Sequence, residues 1–224
     1  MVRPGRTTRN DKMVPASPCR EITINSVPMV ADYIIPLLGG ISEDPQAEAL
    51  RLTLRYVAEM TVAPITPGAP CLHIRGGPRP MLDAAEVYEL GRLRFGLFGS
   101  ASYLGRMGMP ASMADLGRYG FVTHDQQQSR TPWEKWLAQT LPEPHRALRS
   151  DCEITHRIAI HSGLCLGFLP ASALLYYADL IEIPTPSDGW EVSMWLVVDR
   201  LTLRDPVVAR AAETLAARLR RVWG

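Results

Sequence analysis

Residues 21–41 read EITINSVPMVADYIIPLLGGI, and the hydrophobic period changes halfway along this stretch. In the first part Ile22 and Ile24 alternate with polar residues, as is typical of a β-strand. Ser26 is a good helix N-cap type and Pro28 suits a first helical turn. The apolar residues that follow return at helical spacing: Met29, Val30, Tyr33, Ile34, Leu37, Leu38 and Ile41. The stretch therefore predicts a strand that leads directly into a helix.

The alternation of strands and helices continues along the rest of the chain. Further strands are predicted at residues 51–57, 71–75, 92–98, 119–123, 146–150, 164–169, 180–183 and 192–198. Helices are predicted at residues 84–91, 112–118 and 151–160, and three more are predicted to begin at Pro132, Pro170 and Pro206. Strands separated by helices favour a parallel or mixed sheet, so the chain is predicted to have an α/β fold.

The composition is that of an ordinary globular protein. The 224 residues are 46% hydrophobic and 21% charged, and the formal net charge is +1. Such a balance gives no general attraction to nucleic acid, to membranes or to acidic substrates. No apolar stretch approaches the ~20 residues that a membrane-spanning helix needs.

Residues 1–20 are a separate segment, which we interpret as a flexible arm or a remnant. Arg3, Arg6 and Arg9 resemble the basic start of a secretion signal, but no apolar region follows them. A cytoplasmic location is therefore expected, in which the four cysteines are reduced. The cysteines include no C-x-x-C pair and the five histidines lack metal-ligand spacing, so neither a metal nor a cofactor is expected.

Seven short segments follow one another in a distinctive order. They are CLHIRGGP (71–78), GSASYL (99–104), GMP (108–110), DL (115–116), GLCLGFLP (163–170), WLV (195–197) and RDP (204–206). Taken together, they resemble the effector-binding domain of LysR-type transcriptional regulators. The resemblance runs from about residue 21 to the end of the chain. Cys71 and Cys165 stand where the family usually has an aspartate and a glycine.

The resemblance implies a particular fold. Such domains are similar to type 2 periplasmic binding proteins, with two Rossmann-like α/β lobes, two crossover strands and a ligand cleft between the lobes. It implies that residues 21–98 plus 191–224 form lobe I and that residues 99–190 form lobe II. The two crossings are then expected near residues 98–100 and 186–191.

The resemblance also implies partners. A small-molecule effector and a second copy of the chain are expected, and a membrane is not. The family's winged helix-turn-helix would precede the domain, but residues 1–20 are too few to form a three-helix reader. DNA binding is therefore expected only through an N-terminal domain that is missing from this chain, whether by truncation or naturally.

The ligand is expected beyond the carboxyl ends of the strands, where helix N-termini offer free N–H groups. Most residues at these places carry hydroxyl groups or small side chains, which suit a small polar or carboxylate effector. The predicted ligand-binding residues are Ser26, Val27, Pro28, Arg75, Ser100, Ser102, Thr123, His124, Ser162 and Gly163. No catalytic residue is predicted.

Several of these residues also have a purely structural interpretation. Ser26 serves equally well as a helix N-cap. Arg75 is interpretable as a solvated charge at a strand end, and Ser100 and Ser102 as small residues of a hinge.

Three other functions stay open alongside the sensing domain. The chain is alternatively an interaction or dimerisation relative without a DNA-binding head, an enzyme, or a solute-binding protein on the same fold. No G-x-S-x-G, H-E-x-x-H or P-loop motif supports an enzyme, and no secretion signal supports a solute-binding protein. We therefore predict the effector-sensing domain of a LysR-type regulator.

Overall fold

A computed structural model describes residues 20–42, 50–56, 65–124, 131–141, 146–186 and 189–224 of the chain. The predicted N-terminal arm, apart from Arg20, lies outside these residues. The strands are β1 (Arg20–Ser26), β2 (Leu50–Tyr56), β3 (Cys71–Gly76), β4 (Ala85–Ser100), β5 (Phe121–Thr123), β6 (Arg146–Arg149), β7 (Gly167–Pro170), β8 (Leu180–Ile183) and β9 (Trp190–Asp199).

The helices lie between these strands as the sequence pattern predicts for most of them. They are α1 (Ala31–Ser42), α2 (Ala101–Met107), α3 (Pro132–Thr140), α4 (Glu153–His161), α5 (Ala173–Tyr176) and α6 (Pro206–Trp223). Short 3-10 turns occupy Pro28–Val30, Met113–Arg118 and Thr202–Arg204.

The strands of the described residues form a seven-stranded mixed sheet and a two-stranded sheet. The main sheet has the order β2-β1-β3-β9-β4-β7, and β8 also pairs with β4. β1 runs parallel to β2 and β3, whereas β9 runs antiparallel to β3 and β4. β5 and β6 pair in parallel, and a bridge between Phe121 and Leu166 leads from β5 toward β7. The predicted mixed α/β sheet is therefore confirmed.

The long strand β4 joins the two parts of the molecule. Its first part pairs with β9 as far as the Phe95–Trp190 pair. From Phe95 onward it pairs with β7 and β8, ending at the Ser100–Leu180 pair. The strand thus changes partners at Phe95, a few residues before the crossing that the sequence predicts. The exact division of the chain into lobes stays a prediction.

The helix predicted at residues 84–91 is wrong, because residues 85–91 belong to the first half of β4. Their alanine, glutamate and leucine residues favour a helix locally, but pairing with β9 holds them extended. Gly91 has a φ of +117° at a shift in the β4–β9 register, and a Cβ there would collide with the Trp223 carbonyl. This glycine lets the end of α6 lie against the strand.

A second correction concerns Pro170, which was expected to begin a helix. It is the last residue of β7 and lies opposite Phe95 in the ladder. The helix α5 starts only at Ala173. A proline suits the end of an edge strand as well as a first helical turn, so the residue type alone does not decide between them.

Aromatic and aliphatic side chains fill the core between the sheet and the helices. Trp133 of α3 stacks on Phe95 with ring centroids 4.1 Å apart, and Trp136 packs against Phe168 and Trp190. The helix α6 begins as predicted, because the Asp205 side chain accepts a hydrogen bond from the N–H of Val207, the second residue of the helix. Its apolar face is buried against β4 and α1.

Candidate functional site

The helix α4 passes three groups of predicted ligand-binding residues and is the element that organises the site. Cys152 stands at its N-cap and Glu153 in its first turn, where a carboxylate is favoured by the helix dipole. His156, Ala159 and Ile160 form its buried side. The first group of predicted residues lies at the N-terminal end of α4, the second at its C-terminal end and the third beside its buried histidine.

The first group is Ser26, Val27 and Pro28, which connect β1 to α1. Ser26 and Val27 are fully buried. The Ser26 hydroxyl donates to the Val27 carbonyl at 3.1 Å, so it does not cap the turn as one interpretation of the sequence suggests. A carboxylate from α4 takes that role, because the Met29 N–H donates to Glu153 Oε2 at 3.0 Å.

Two further hydrogen bonds fasten the start of α1 to the same side of the molecule. Arg157 of α4 donates to Asp32 Oδ2 at 2.7 Å, and both side chains are about three-quarters buried. The Tyr176 hydroxyl of α5 donates to the Asp32 carbonyl at 2.9 Å. Together with the bond from Met29 to Glu153, these contacts close a narrow cavity between α1, α4 and the end of β7.

The charged side chains of α4 form a stripe, because Glu153, Arg157 and His161 are spaced four residues apart. His161 Nδ1 lies 2.9 Å from Asp179 Oδ1. Arg157 lies 5.6 Å and the His161 ring 4.8 Å from the ring centre of Tyr177. This stripe was not predicted from the sequence. The signal that could have revealed it was the four-residue spacing of Glu153 and Arg157 within the predicted helix at residues 151–160, continued by His161 just beyond it.

Burial controls the protonation of Glu153. Removal of the carboxyl from water raises its pKa to about 7, and the hydrogen bond from the Met29 N–H opposes only part of that rise. Glu153 is therefore a carboxyl group that gains and loses its proton near neutral pH.

The second group is brought together by the C-terminal end of α4. Ser100 caps α2 by accepting from the Tyr103 N–H at 3.3 Å, and its hydroxyl lies 3.1 Å from that of Ser102. Gly163 has a φ of +78°, and a Cβ there would lie 2.6 Å from the Ser102 hydroxyl. Arg106, which the sequence analysis also missed, donates to the Gly163 carbonyl at 2.6 Å.

Ser162 lies in this region of the chain, but its hydroxyl makes its hydrogen bond elsewhere. Its hydroxyl donates to the Ala159 carbonyl at 3.1 Å, in the last turn of its own helix. The structure therefore assigns Ser162 a local hydrogen bond, while Ser100, Ser102 and Gly163 form one cluster. We call these three residues the hydroxyl cluster.

The third group, Thr123 and His124, lies beside the middle of α4. The His124 N–H donates to Glu134 Oε1 at 3.0 Å, and the His124 ring lies 4.6 Å from that of His156. His156 Nε2 donates to the Ser150 carbonyl at 2.6 Å. Desolvation lowers the pKa of both histidines and raises that of Glu134.

The fold does not bring Arg75 together with the other predicted ligand-binding residues. In the register of β1 and β3, Asn25 lies opposite His73, and side chains alternate between the faces of the sheet. Arg75 therefore shares a face with His73, whereas Ser26 faces the other side. Burial and the Arg75 charge lower the pKa of His73 to about 4.

No group of three or more metal-ligating side chains occurs within the described ranges. In the same part of the chain, no helix has the length and hydrophobicity to cross a membrane.

Comparison with protein families gives a match over most of the chain. The sequence matches the family model described as the LysR substrate binding domain over residues 16–220. No curated protein matches the sequence.

Three of the solved structures with similar folds come from different bacteria. The regulatory domain of AphB from Vibrio vulnificus is 15% identical, with a TM-score of 0.62 over 88% of this chain and 100% of that one. The regulatory domain of CrgA, a LysR-type transcriptional regulator from Neisseria meningitidis, is 14% identical, with a TM-score of 0.66 over 90% and 100%. The effector binding domain of AmpR from Citrobacter freundii is 18% identical, with a TM-score of 0.67 over 90% and 98%. These matches confirm the two-lobed fold of type 2 periplasmic binding proteins.

Proposed function

The chain belongs to the family of LysR substrate-binding domains, and from that premise we propose that it senses a small polar or carboxylate effector in the cytoplasm. Domains of this family are the effector-binding parts of LysR-type transcriptional regulators. The proposed role is binding and signalling, without catalysis. The proposed ligand set is centred on Ser100, Ser102 and Gly163, which the fold brings together. Of the other residues predicted from the sequence, it keeps Ser26, Val27, Pro28, Thr123 and His124 and leaves out Arg75 and Ser162, because Arg75 lies on the other face of the sheet and Ser162 bonds within its own helix.

The hydroxyl cluster is the observation that carries this proposal. Ser100 and Ser102 place two hydroxyl groups side by side, and Gly163 faces them without a side chain. Arg106 adds a guanidinium group next to Gly163. Hydroxyl groups both donate and accept hydrogen bonds, and a guanidinium group pairs with carboxylates. Because Ser26 and Ser100 are fully buried, we infer that the lobes separate to admit the effector.

Thermal unfolding with a panel of small carboxylates and aromatic acids tests this function. A ligand that binds only the folded protein stabilises it by ~2.7 kcal/mol at a hundredfold excess over its Kd. We expect Ser102→Ala to weaken the binding of a ligand found in this way by about fivefold, since one hydrogen bond contributes about 1 kcal/mol. Thr66→Ala, at an exposed turn, is the matched control. Unchanged affinity in Ser102→Ala would show that the effector binds elsewhere.

We further propose that the domain forms a homodimer through the outer sides of α1 and α4. Ile35 on α1 and Ile158 on α4 are 54% and 60% exposed, and Leu175 on α5 is 81% exposed. Contiguous exposed apolar side chains are typical of interfaces, and we propose that these three belong to one such surface. Sedimentation at micromolar concentration should show a dimer for the parent chain and a monomer for Ile158→Asp. A monomeric parent chain would contradict this proposal.

The proposed route to DNA is indirect. LysR-type regulators bind DNA through an N-terminal domain, and a reader of that kind places a helix in the major groove. We propose that the domain described here signals to such a reader and does not itself recognise a DNA sequence.

A further inference from the structure

The contacts at the start of α1 connect elements from different parts of the chain. Met29 and Asp32 belong to the lobe predicted from residues 21–98 plus 191–224, whereas Glu153, Arg157 and Tyr176 belong to the one predicted from residues 99–190. The three hydrogen bonds between them therefore join the two lobes along one side of the cleft. Separation of the lobes at this side has to break all three.

Among the ionisable side chains at this junction, Glu153 has the surroundings that least favour its charged form. The cavity beside it is lined mainly by the apolar side chains of Pro28, Met29, Leu169, Pro170 and Ala173. The hydrogen bond that its carboxylate accepts comes from a backbone N–H group.

The other titratable and charged groups at the junction come from three helices. From α1 they are Asp32 and Tyr33, from α4 they are Cys152 and Arg157, and from α5 there is Tyr176. Arg157, the cation in this set, is already paired with Asp32 at 2.7 Å. A carboxylate at Glu153 is therefore held by the Met29 N–H without a neighbouring cation of its own.

We propose that Glu153 is a proton-controlled latch of the cleft, which holds the lobes together when it is protonated and favours their separation when it is ionised. The proposal rests on the proposed function in one respect only, namely that the cleft opens to admit a ligand. It assigns regulation by pH to the same cleft.

The direction of the pH effect follows from linkage. In the closed cleft burial raises the pKa of Glu153 from its ordinary value of 4.5 to about 7. In an open cleft the carboxyl returns to water and to its ordinary value, so the closed form binds the proton more tightly. Closure is then favoured below about pH 5 and opening above about pH 7. Between these two values the ratio of closed to open protein falls by up to about tenfold for each pH unit.

Hydrogen exchange at the Met29 amide measures the latch without any ligand. Its protection, corrected for the intrinsic exchange rate, should fall as the pH rises from about 5 to about 8. In Glu153→Gln the amide oxygen still accepts from the Met29 N–H but carries no titratable charge, so protection should be high and independent of pH. Glu153→Ala should be poorly protected throughout. Glu191→Gln is the matched control, because its exposed carboxylate pairs with Arg92 in the β4–β9 ladder.

The unmodified chain provides a second measurement in case a variant fails to fold. The carboxyl carbon of Glu153, followed by carbon NMR, should titrate with a midpoint near 7. A midpoint near 4.5, or Met29 protection that changes with pH in Glu153→Gln as it does in the parent chain, would overturn the latch. Failure of the latch can be told apart from failure of the proposed function. If the cleft binds an effector but does not respond to pH, the latch alone is refuted. A working latch in a chain that binds none of the panel refutes the effector class alone.

Discussion

The two ends of α4 offer very different chemistry to the cleft. At the N-terminal end the ionisable side chains of Glu153 and Arg157 bind the start of α1 and the turn before it. At the C-terminal end the hydroxyl cluster presents two hydroxyl groups and a glycine, next to the Arg106 guanidinium group. One short helix therefore has one end suited to joining the lobes and another suited to recognising a small polar molecule.

The difference separates two tasks that a sensing domain has to perform. Ionisable groups respond to pH and join elements of the two predicted lobes, but they discriminate poorly among small neutral groups. Hydroxyl groups impose directional hydrogen bonds without titrating near neutral pH. We therefore expect substitutions at the C-terminal end of α4 to alter packing and ligand recognition. Substitutions at its N-terminal end should alter closure of the cleft.

The largest effect on stability is expected at Gly163. In Gly163→Ala the new Cβ meets the Ser102 hydroxyl, and the positive φ of +78° adds backbone strain. We expect a loss of about 3 kcal/mol in the free energy of unfolding. Gly68→Ala is the control for strain alone, since Gly68 has a φ of +74° and no atom within 4 Å of a Cβ; it should lose about 1 kcal/mol. Urea titration measures both, and equal losses would mean that the hydroxyl cluster is loosely packed.

A smaller loss of stability is expected when the ion pair between Arg157 and Asp32 is removed. Arg157→Ala removes the partner of Asp32 and the contact with Tyr177, and its side chain is only 24% exposed. We expect a loss of about 2 kcal/mol, between the values for exposed and fully buried ion pairs. Arg92→Ala is the matched control, because Arg92 and Glu191 pair at 2.9 Å with 68% and 52% exposure. It should change the free energy of unfolding by less than about 0.5 kcal/mol. Similar losses in both variants would contradict a special role for the junction.

Local patterns predicted most of the fold, and the failures have a common cause. The switch of period at residues 21–41 correctly predicted β1 followed by α1, because both elements bury one face. Residues 84–91 have helix-forming composition, yet pairing with β9 makes them a strand. Such pairing joins residues about a hundred positions apart, and no local window contains that information.

The candidate site shows the same limit. Ser100, Ser102 and Gly163 were predicted because strand ends and glycine turns are visible in the sequence, and the structure brings them together. Arg75 was chosen for its position at a strand end, but the sheet register places it on the other face. The bond from Met29 to Glu153 spans 124 residues. Only the tertiary structure shows which carboxylate meets which helix start.

The smallest expected effect on stability compares two cysteines at opposite ends of α4. Cys152 is exposed at the N-cap, and hydrogen bonds from Thr155 lower the pKa of its thiol, whereas burial raises the pKa of the Cys165 thiol to about 12. Since the thiolate is the reactive form, iodoacetamide at about pH 7.5 should label Cys152 at least about tenfold faster than Cys165 in the native protein. Peptide mapping by mass spectrometry measures the two rates, and Cys152→Ser should remove the fast label. The labelled protein should lose no more than about 0.5 kcal/mol of stability, because the N-cap side chain lies in solvent. Equal labelling of the two thiols in native protein would show that the C-terminal end of α4 is as open as its N-terminal end, and the contrast between the two ends would not hold.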